Sequence, residues 1–302
     1  MSVFRLACVQ VNAGNDLAAN IEAAATLGRA ARGAGADLIA FPECVAMMEM
    51  GRERSLAAAA PAENHPALVA FRALAAEIGA WLLAGSLSVR LDGDKIANRC
   101  YLIDSDGAVR AAYDKIHMFD VELGEGDSYR ESETYRSGDR AVLAATPWGP
   151  LGMTICYDLR FPHLYRDLAR RGAVMLSVPS AFTRPTGAAH WEILLRARAI
   201  ENAAYVFAPA QCGTHPHGRR TWGHSLVVDP WGEVIAAAGE EPGFIVADID
   251  PAAVVERRRA LPSLTHDRDY ALPVDDGSDA GAPDGASGSG GAIGSRHTAA
   301  RR

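Results

Sequence analysis

The chain has 302 residues, 49% of them hydrophobic, which is enough to bury one large core. Its formal net charge is −7, with basic residues scattered or paired with acids, and this argues against a nucleic-acid surface. No stretch reaches membrane-spanning length without a charge or turn residue, and Met1-Ser2-Val3-Phe4-Arg5-Leu6 lacks a basic region followed by a long apolar one, so neither a span nor a secretion signal is expected.

Helical spacing over 18–33 leads into Leu38-Ile39-Ala40-Phe41-Pro42, which Glu43 closes. Such a short continuous apolar run suits a strand buried on both faces. A second helix is predicted over 66–78, then a strand at Ala80-Trp81-Leu82-Leu83-Ala84. Tyr101-Leu102-Ile103-Asp104-Ser105-Asp106-Gly107-Ala108-Val109 reads as strand, tight turn, strand, and Lys115 follows in Tyr113-Asp114-Lys115-Ile116-His117. Residues 122–127 are acidic and glycine-rich. Leu151-Gly152-Met153-Thr154-Ile155 reads as a strand that Asp158-Leu159-Arg160-Phe161-Pro162 breaks, ahead of a helix over 165–171. A strand over 174–178, a helix over 189–202, a strand over 204–208 and a second strand–turn–strand over 226–234 complete the folded part. Trp191, Leu194 and Leu195 follow one helical face and are expected in the core. Glu256-Arg257-Arg258-Arg259 reads as a solvated helix end. Residues 274–302 are Asp, Gly, Ser and Ala with almost no large apolar side chain, so a disordered tail is expected after a domain spanning 1–273.

Three pairs of segments match in order. Gly35 to Glu43 lines up with Gly172 to Ser180, Ala80 to Ala84 with Ala204 to Ala208, and Tyr101 to Val109 with Leu226 to Val234. Each half is then strand, helix, strand, helix, strand, hairpin. Helices would cover one face of each sheet. Two such halves packed sheet on sheet predict an α/β protein with a duplicated four-layer α-β-β-α sandwich.

Cys156 stands where a strand turns into a helix, a place that exposes a nucleophile and offers nearby backbone N–H groups. A buried structural thiol is the alternative, and it suits Cys8, Cys100 and Cys44. The five cysteines have irregular spacings and no C-x-x-C, which fits reduced thiols in the cytoplasm better than a disulfide framework. Glu43 is either a surface acid at a loop start or a general base whose partial burial raises its pKa. Lys115 is either solvated or an oxyanion donor, a role whose loss costs about 2.7–4 kcal/mol in the transition state. His215-Pro216-His217 lacks a third ligand at recognised spacing, so loop histidines meeting solvent or substrate are expected rather than a metal site.

The run Phe41-Pro42-Glu43, then Tyr113-Asp114-Lys115-Ile116-His117-Met118-Phe119-Asp120, then Ile155-Cys156-Tyr157-Asp158-Leu159-Arg160-Phe161-Pro162 resembles the nitrilase superfamily of carbon–nitrogen hydrolases, over essentially Val3 to Tyr270. The resemblance implies a Glu–Lys–Cys triad at Glu43, Lys115 and Cys156, and a second glutamate at Glu131 that positions the lysine and substrate. It implies the same α-β-β-α sandwich, commonly as a homodimer, with the Tyr157 backbone N–H as an oxyanion donor. No cofactor or metal is implied, and the partner is a small-molecule amide.

Tyr157-Asp158-Leu159-Arg160 looks like the amidase branch rather than the true nitrilases. Segments around Phe182, Thr183 and Thr186, with Ala208 to His215 and Gly223-His224-Ser225, are similar to those of omega-amidases and deaminated glutathione amidases, more so to the latter. This implies substrate contacts at Arg160, Phe182, Thr183 and Thr186, with Arg160 on a 2-oxo acid carboxylate or else paired with a neighbouring Asp. Arg219 and Arg220 are candidates for the glycine end of such a substrate. Open alternatives are an omega-amidase acting on 2-oxoglutaramate and 2-oxosuccinamate, an N-carbamoyl hydrolase, and a silent binding protein on the same fold.

Overall fold

The computed structural model describes residues 2–123 and 128–271. The tail expected over 274–302 and most of the acidic 122–127 segment fall outside them. The chain divides into Met1–His266, which holds the fold, and a C-terminal stretch in which 267–271 carry no regular structure.

Among the described residues two large sheets form. The first runs in the order Gly243–Ile249, Phe4–Gln10, Leu38–Ala40, Trp81–Leu83, Ile96–Ile103, Leu87–Arg90 and Ala60–Pro61, and Val109–Asp114 also pairs with Ile96–Ile103. The second runs Val142–Ala144, Leu151–Met153, Met175–Ser177, Tyr205–Ala208, Leu226–Val228 and Val234–Ala237. Each sheet holds three adjacent parallel strands, Phe4–Gln10 with Leu38–Ala40 and Trp81–Leu83 in one, Leu151–Met153 with Met175–Ser177 and Tyr205–Ala208 in the other.

The internal duplication extends to the turns. Asp104 Oδ1 accepts from the N–H groups of Asp106 and Ala108, and Asp229 Oδ1 accepts from those of Trp231 and Glu233. Gly107 and Gly232 take φ of 80° and 89°, the left-handed region these turns need. Both hairpins shift register at the same place, between Leu102 and Ile103 and between Val227 and Val228.

Burial explains the layering. On Phe4–Gln10, Leu6 and Cys8 enter the core between the sheets, while Ala7 and Val9 enter the core beneath the helices Leu17–Gly33 and Pro66–Ile78. The period of two puts alternate side chains on opposite faces, and both faces are covered. Trp191 and Leu195, on Arg184–Asn202, are buried as expected, whereas Leu194 is only half-buried, packed against the same core.

Two helices begin earlier than their apolar spacing indicates, at Pro162 and at Arg184 rather than near 165 and 189. A proline in the first turn of each carries a φ already suited to a helix and lacks only an N–H that would be unpaired there anyway. Among the described residues no helix is long and apolar enough to cross a membrane.

Candidate active site

The parallel strands of the two sheets deliver the key side chains from their carboxyl ends. Glu43 lies just past Leu38–Ala40, and Cys156 opens the 3-10 helix Cys156–Arg160 just past Leu151–Met153. Lys115 follows Val109–Asp114, and Glu131 opens the 3-10 turn Glu131–Glu133. Cys156 takes φ of 49°, a strained value for a residue with a side chain, and its N–H is held by the carbonyl of Pro179 at 3.0 Å. The Tyr157 N–H next to it has no acceptor among the described residues, as expected at the first turn of a helix.

These groups meet. Lys115 Nζ donates to Glu43 Oε1 at 2.9 Å and to both carboxylate oxygens of Glu131, at 3.0 and 2.8 Å. The Ala181 N–H donates to Glu43 Oε2 at 2.9 Å, and the Cys156 thiol lies close enough to the same carboxylate to lower its pKa. The Phe119 N–H donates to Glu131 Oε2 at 2.6 Å. Glu43, Lys115 and Cys156 are all buried, with exposures of 4%, 2% and 6%.

The electrostatics correct one expectation. Burial does push the Glu43 carboxyl up, but the Lys115 ammonium, the hydrogen bonds from Cys156 and Lys115, and the charge of Arg219 outweigh it, so Glu43 lies below its ordinary value. Lys115 is raised well above the ordinary lysine range, because Glu131 and Glu43 overcome the cost of its burial. Cys156 is raised well above 9.0, by burial first and by the Glu43 charge second. The resting site therefore holds a neutral thiol beside an ionised carboxylate.

All four residues line one cavity of about 370 Å3. Arg160, Phe182, Thr183, Thr186 and Arg219 line it too. The Arg160 guanidinium sits 5.9 Å from the Tyr157 ring centre and 5.7 Å from that of Phe182, with Nη2 at 3.2 Å from His190 Nδ1. It has no carboxylate partner among the described residues, so the alternative of a structural pair with an Asp is not what forms. Arg219 lies 5.4 Å from the Tyr129 ring centre and donates to the carbonyl of Ala181 at 2.9 Å. The Thr183 and Thr186 hydroxyls are bonded to each other at 2.8 Å.

Other expectations divide. Arg220 is exposed on the strand Arg220–Trp222 and does not line the cavity, because neighbouring strand residues point to opposite sides. Cys8 and Cys100 are core thiols, but Cys44 is half-buried on the cavity wall, where burial and the Glu43 charge raise it to about 12. His215 is no solvent-facing loop residue; it is buried, donating from Nδ1 to the carbonyl of Ala13 at 2.8 Å and accepting at Nε2 from the Thr221 hydroxyl at 2.6 Å. His217 instead reaches the cavity-lining Glu49 at 2.8 Å. Among the described residues no group of three His, Cys, Asp or Glu side chains could hold a metal ion.

Sequence reasoning missed Asn98. It is buried and touches both carboxylates, yet it lies inside the strand Ile96–Ile103 without any local motif to mark it.

Comparison with known proteins places the chain in a family. Residues 5–259 match the carbon–nitrogen hydrolase family. The deaminated glutathione amidase of Synechocystis sp. is 40% identical over 270 residues, covering 88% of this chain and 98% of that one. That of Yersinia enterocolitica is 46% identical over 213 residues, covering 68% and 74%. The crystal structure of the C. elegans NitFhit protein superposes with a TM-score of 0.82 at 38% identity, over 89% of this chain and 66% of that longer one. The chain belongs to the carbon–nitrogen hydrolase family within the nitrilase superfamily, in the deaminated glutathione amidase branch, and is an amidohydrolase of carbon–nitrogen bonds other than peptide bonds.

Proposed function

We propose that the enzyme hydrolyses deaminated glutathione to 2-oxoglutarate and Cys-Gly through a thioester on Cys156. The observation that carries this reading is the proximity of a neutral, buried thiol to an ionised Glu43 within one cavity. Glu43 takes the thiol proton as sulfur attacks the amide carbon. The oxyanion is held by the Tyr157 N–H and Lys115. If one Lys115 N–H is shared between the two oxygens of Glu131 and a second goes to Glu43, the third is left for the oxyanion. The proton on Glu43 passes to the leaving amine as the C–N bond breaks. Glu43 then activates water, which releases the acid and frees the thiol.

The substrate assignment rests on charge and on the named relatives. Deaminated glutathione carries a carboxylate at each end. Arg160 and Arg219 bring cations into the cavity without a carboxylate partner among the described residues, and arginine can bind a carboxylate bidentately. Arg160 takes the 2-oxo acid end, flanked by Phe182, Thr183 and Thr186, and Arg219 the glycine end. A homodimer and a cytoplasmic setting belong to the same reading. The dimer draws support from Ile200, Trp231 and Leu261, exposed apolar side chains around one small cleft. The cytoplasm draws support from five free cysteines.

A release assay for ammonia and for Cys-Gly across a panel of amides tests the assignment. Deaminated glutathione should show the highest kcat/KM. A clear preference for 2-oxoglutaramate would make the enzyme an omega-amidase instead, and a preference for N-carbamoyl compounds would remove the oxo-acid reading.

A further inference from the structure

We propose that Asn98 is a positioning residue that decides which oxygen of Glu43 receives the Cys156 proton, keeping Oε1 proton-free and leaving Oε2 as the base. The inference deepens the reading above and rests on Glu43 being the base.

Asn98 touches three members of the site at once. Its carbonyl accepts the Lys115 N–H at 3.0 Å. Its Nδ2 donates to Glu43 Oε1 at 2.9 Å and to Glu131 Oε1 at 3.2 Å. An amide nitrogen has two N–H groups, so each carboxylate receives one. The flipped amide would set its oxygen against two carboxylate oxygens, which leaves this orientation as the stable one. Asn98 is 3% exposed, so water does not substitute for it.

Counting lone pairs then separates the oxygens. Glu43 Oε1 accepts from Lys115 and Asn98, and both of its positions are filled. Among the described residues Oε2 accepts only the Ala181 N–H, at 2.9 Å. The same Ala181 N–H also faces the Cys156 thiol closely enough to lower its pKa, which sets the sulfur on the Oε2 side of the carboxylate. Glu131 has no open position, since Oε1 accepts from Lys115 and Asn98 and Oε2 from Lys115 and the Phe119 N–H. A proton arriving at Oε1 would displace a bond from Lys115 or Asn98, whereas at Oε2 it displaces none. In the transfer the S–H bond breaks, an O–H bond forms on Oε2, and the negative charge moves to sulfur. The proton later leaves Oε2 for the amine nitrogen as the C–N bond breaks. Asn98 stays bonded to Oε1 in both states.

Donors to an ionised carboxylate hold its pKa down. Removing Asn98 should therefore raise the pKa of Glu43. The test is the pH profile of kcat/KM for Asn98→Ala and Asn98→Asp, with thermal unfolding run alongside and Asn98→Val, which removes both donors but keeps bulk on the strand, as the variant used should the others not fold. The acid limb should move up by about one pH unit or more, a tenfold loss on that limb per unit, while KM changes by less than about twofold. An unmoved acid limb, whatever happens to kcat or to stability, would overturn the role of Asn98. Glu43→Gln, measured in parallel, separates the two ideas. If it is inactive and the Asn98 limb does not move, only Asn98 loses its role. If it stays active, the base assignment falls and this inference falls with it.

Discussion

The Tyr113 hydroxyl donates to Asp158 Oδ2 at 2.7 Å, which ties the strand that delivers Lys115 to the turn that carries Cys156. Asp158 is fully buried and also accepts from the N–H groups of Ile155 and His117, at 2.9 and 3.1 Å, with His117 Nδ1 at 2.6 Å. The two sheets of the sandwich are thereby joined at the site by one buried carboxylate. Tyr113→Phe should lower stability by about 1–3 kcal/mol, the usual cost of leaving a buried group short of a partner. It should also lower kcat by tenfold or more with little change in KM, because small misplacements of reacting groups can cost about a hundredfold. Denaturant unfolding and steady-state kinetics on the variant check both.

The raised Cys156 value makes a second prediction. A thiol pushed up by burial and by the Glu43 charge forms little thiolate at neutral pH. Alkylation by iodoacetamide, followed on the Cys156 peptide by mass spectrometry, should rise steadily with pH without a plateau through pH about 9. Glu43→Gln removes a charge that raises the thiol, so its alkylation at a fixed alkaline pH should be faster although hydrolysis is slower. The lowered Glu43 value works in the opposite sense for turnover. The carboxylate stays ionised above its ordinary value of 4.5 and loses activity only as pH falls below that, through its lower folded value. A plateau in alkylation below pH about 7 would show a preformed thiolate instead.

Arg160→Lys should raise KM for 2-oxo acid amides about tenfold and leave neutral amides nearly unchanged. A lysine keeps the charge but loses the planar fork that grips a carboxylate and stacks near Tyr157 and Phe182. Equal effects on both substrate classes would remove the carboxylate role.

Gly85 packs against the turn that presents Glu43. A Cβ there would lie 1.9 Å from the carbonyl oxygen of Pro42, at a φ of +57°. Gly85→Ala should lower stability by more than about 2 kcal/mol and reduce kcat, since the backbone before Glu43 must move. Comparison of its unfolding midpoint and turnover with those of Gly79→Ala provides the control. Gly79 has φ of +60° but open space around its missing Cβ, so that variant should keep its turnover.

The layers were legible because each half repeats strand, helix and hairpin with the same turn residues, Asp104 with Gly107 and Asp229 with Gly232. Glu43, Lys115 and Cys156, which converge on the cavity, were legible because each stands at the edge of a strand-like run, where a charge or thiol stands out. Asn98 did not stand out, since a single amide inside a strand is ordinary and its partner Glu43 is 55 positions away. The direction of the Glu43 shift was not legible either. Burial could be read from the neighbouring apolar residues, but the opposing charges on Lys115 and Arg219 arrive from distant segments.

Partitioning of the acyl group between water and hydroxylamine tests the covalent route most directly. Deaminated glutathione and 2-oxoglutaramate differ in the amine they release and share the 2-oxoglutaryl group, so a thioester on Cys156 made from either is the same species. The account predicts one ratio of hydroxamate to 2-oxoglutarate from both amides at a given hydroxylamine concentration. Ratios that differ between the two would mean that water attacks the amide itself, with Cys156 never acylated.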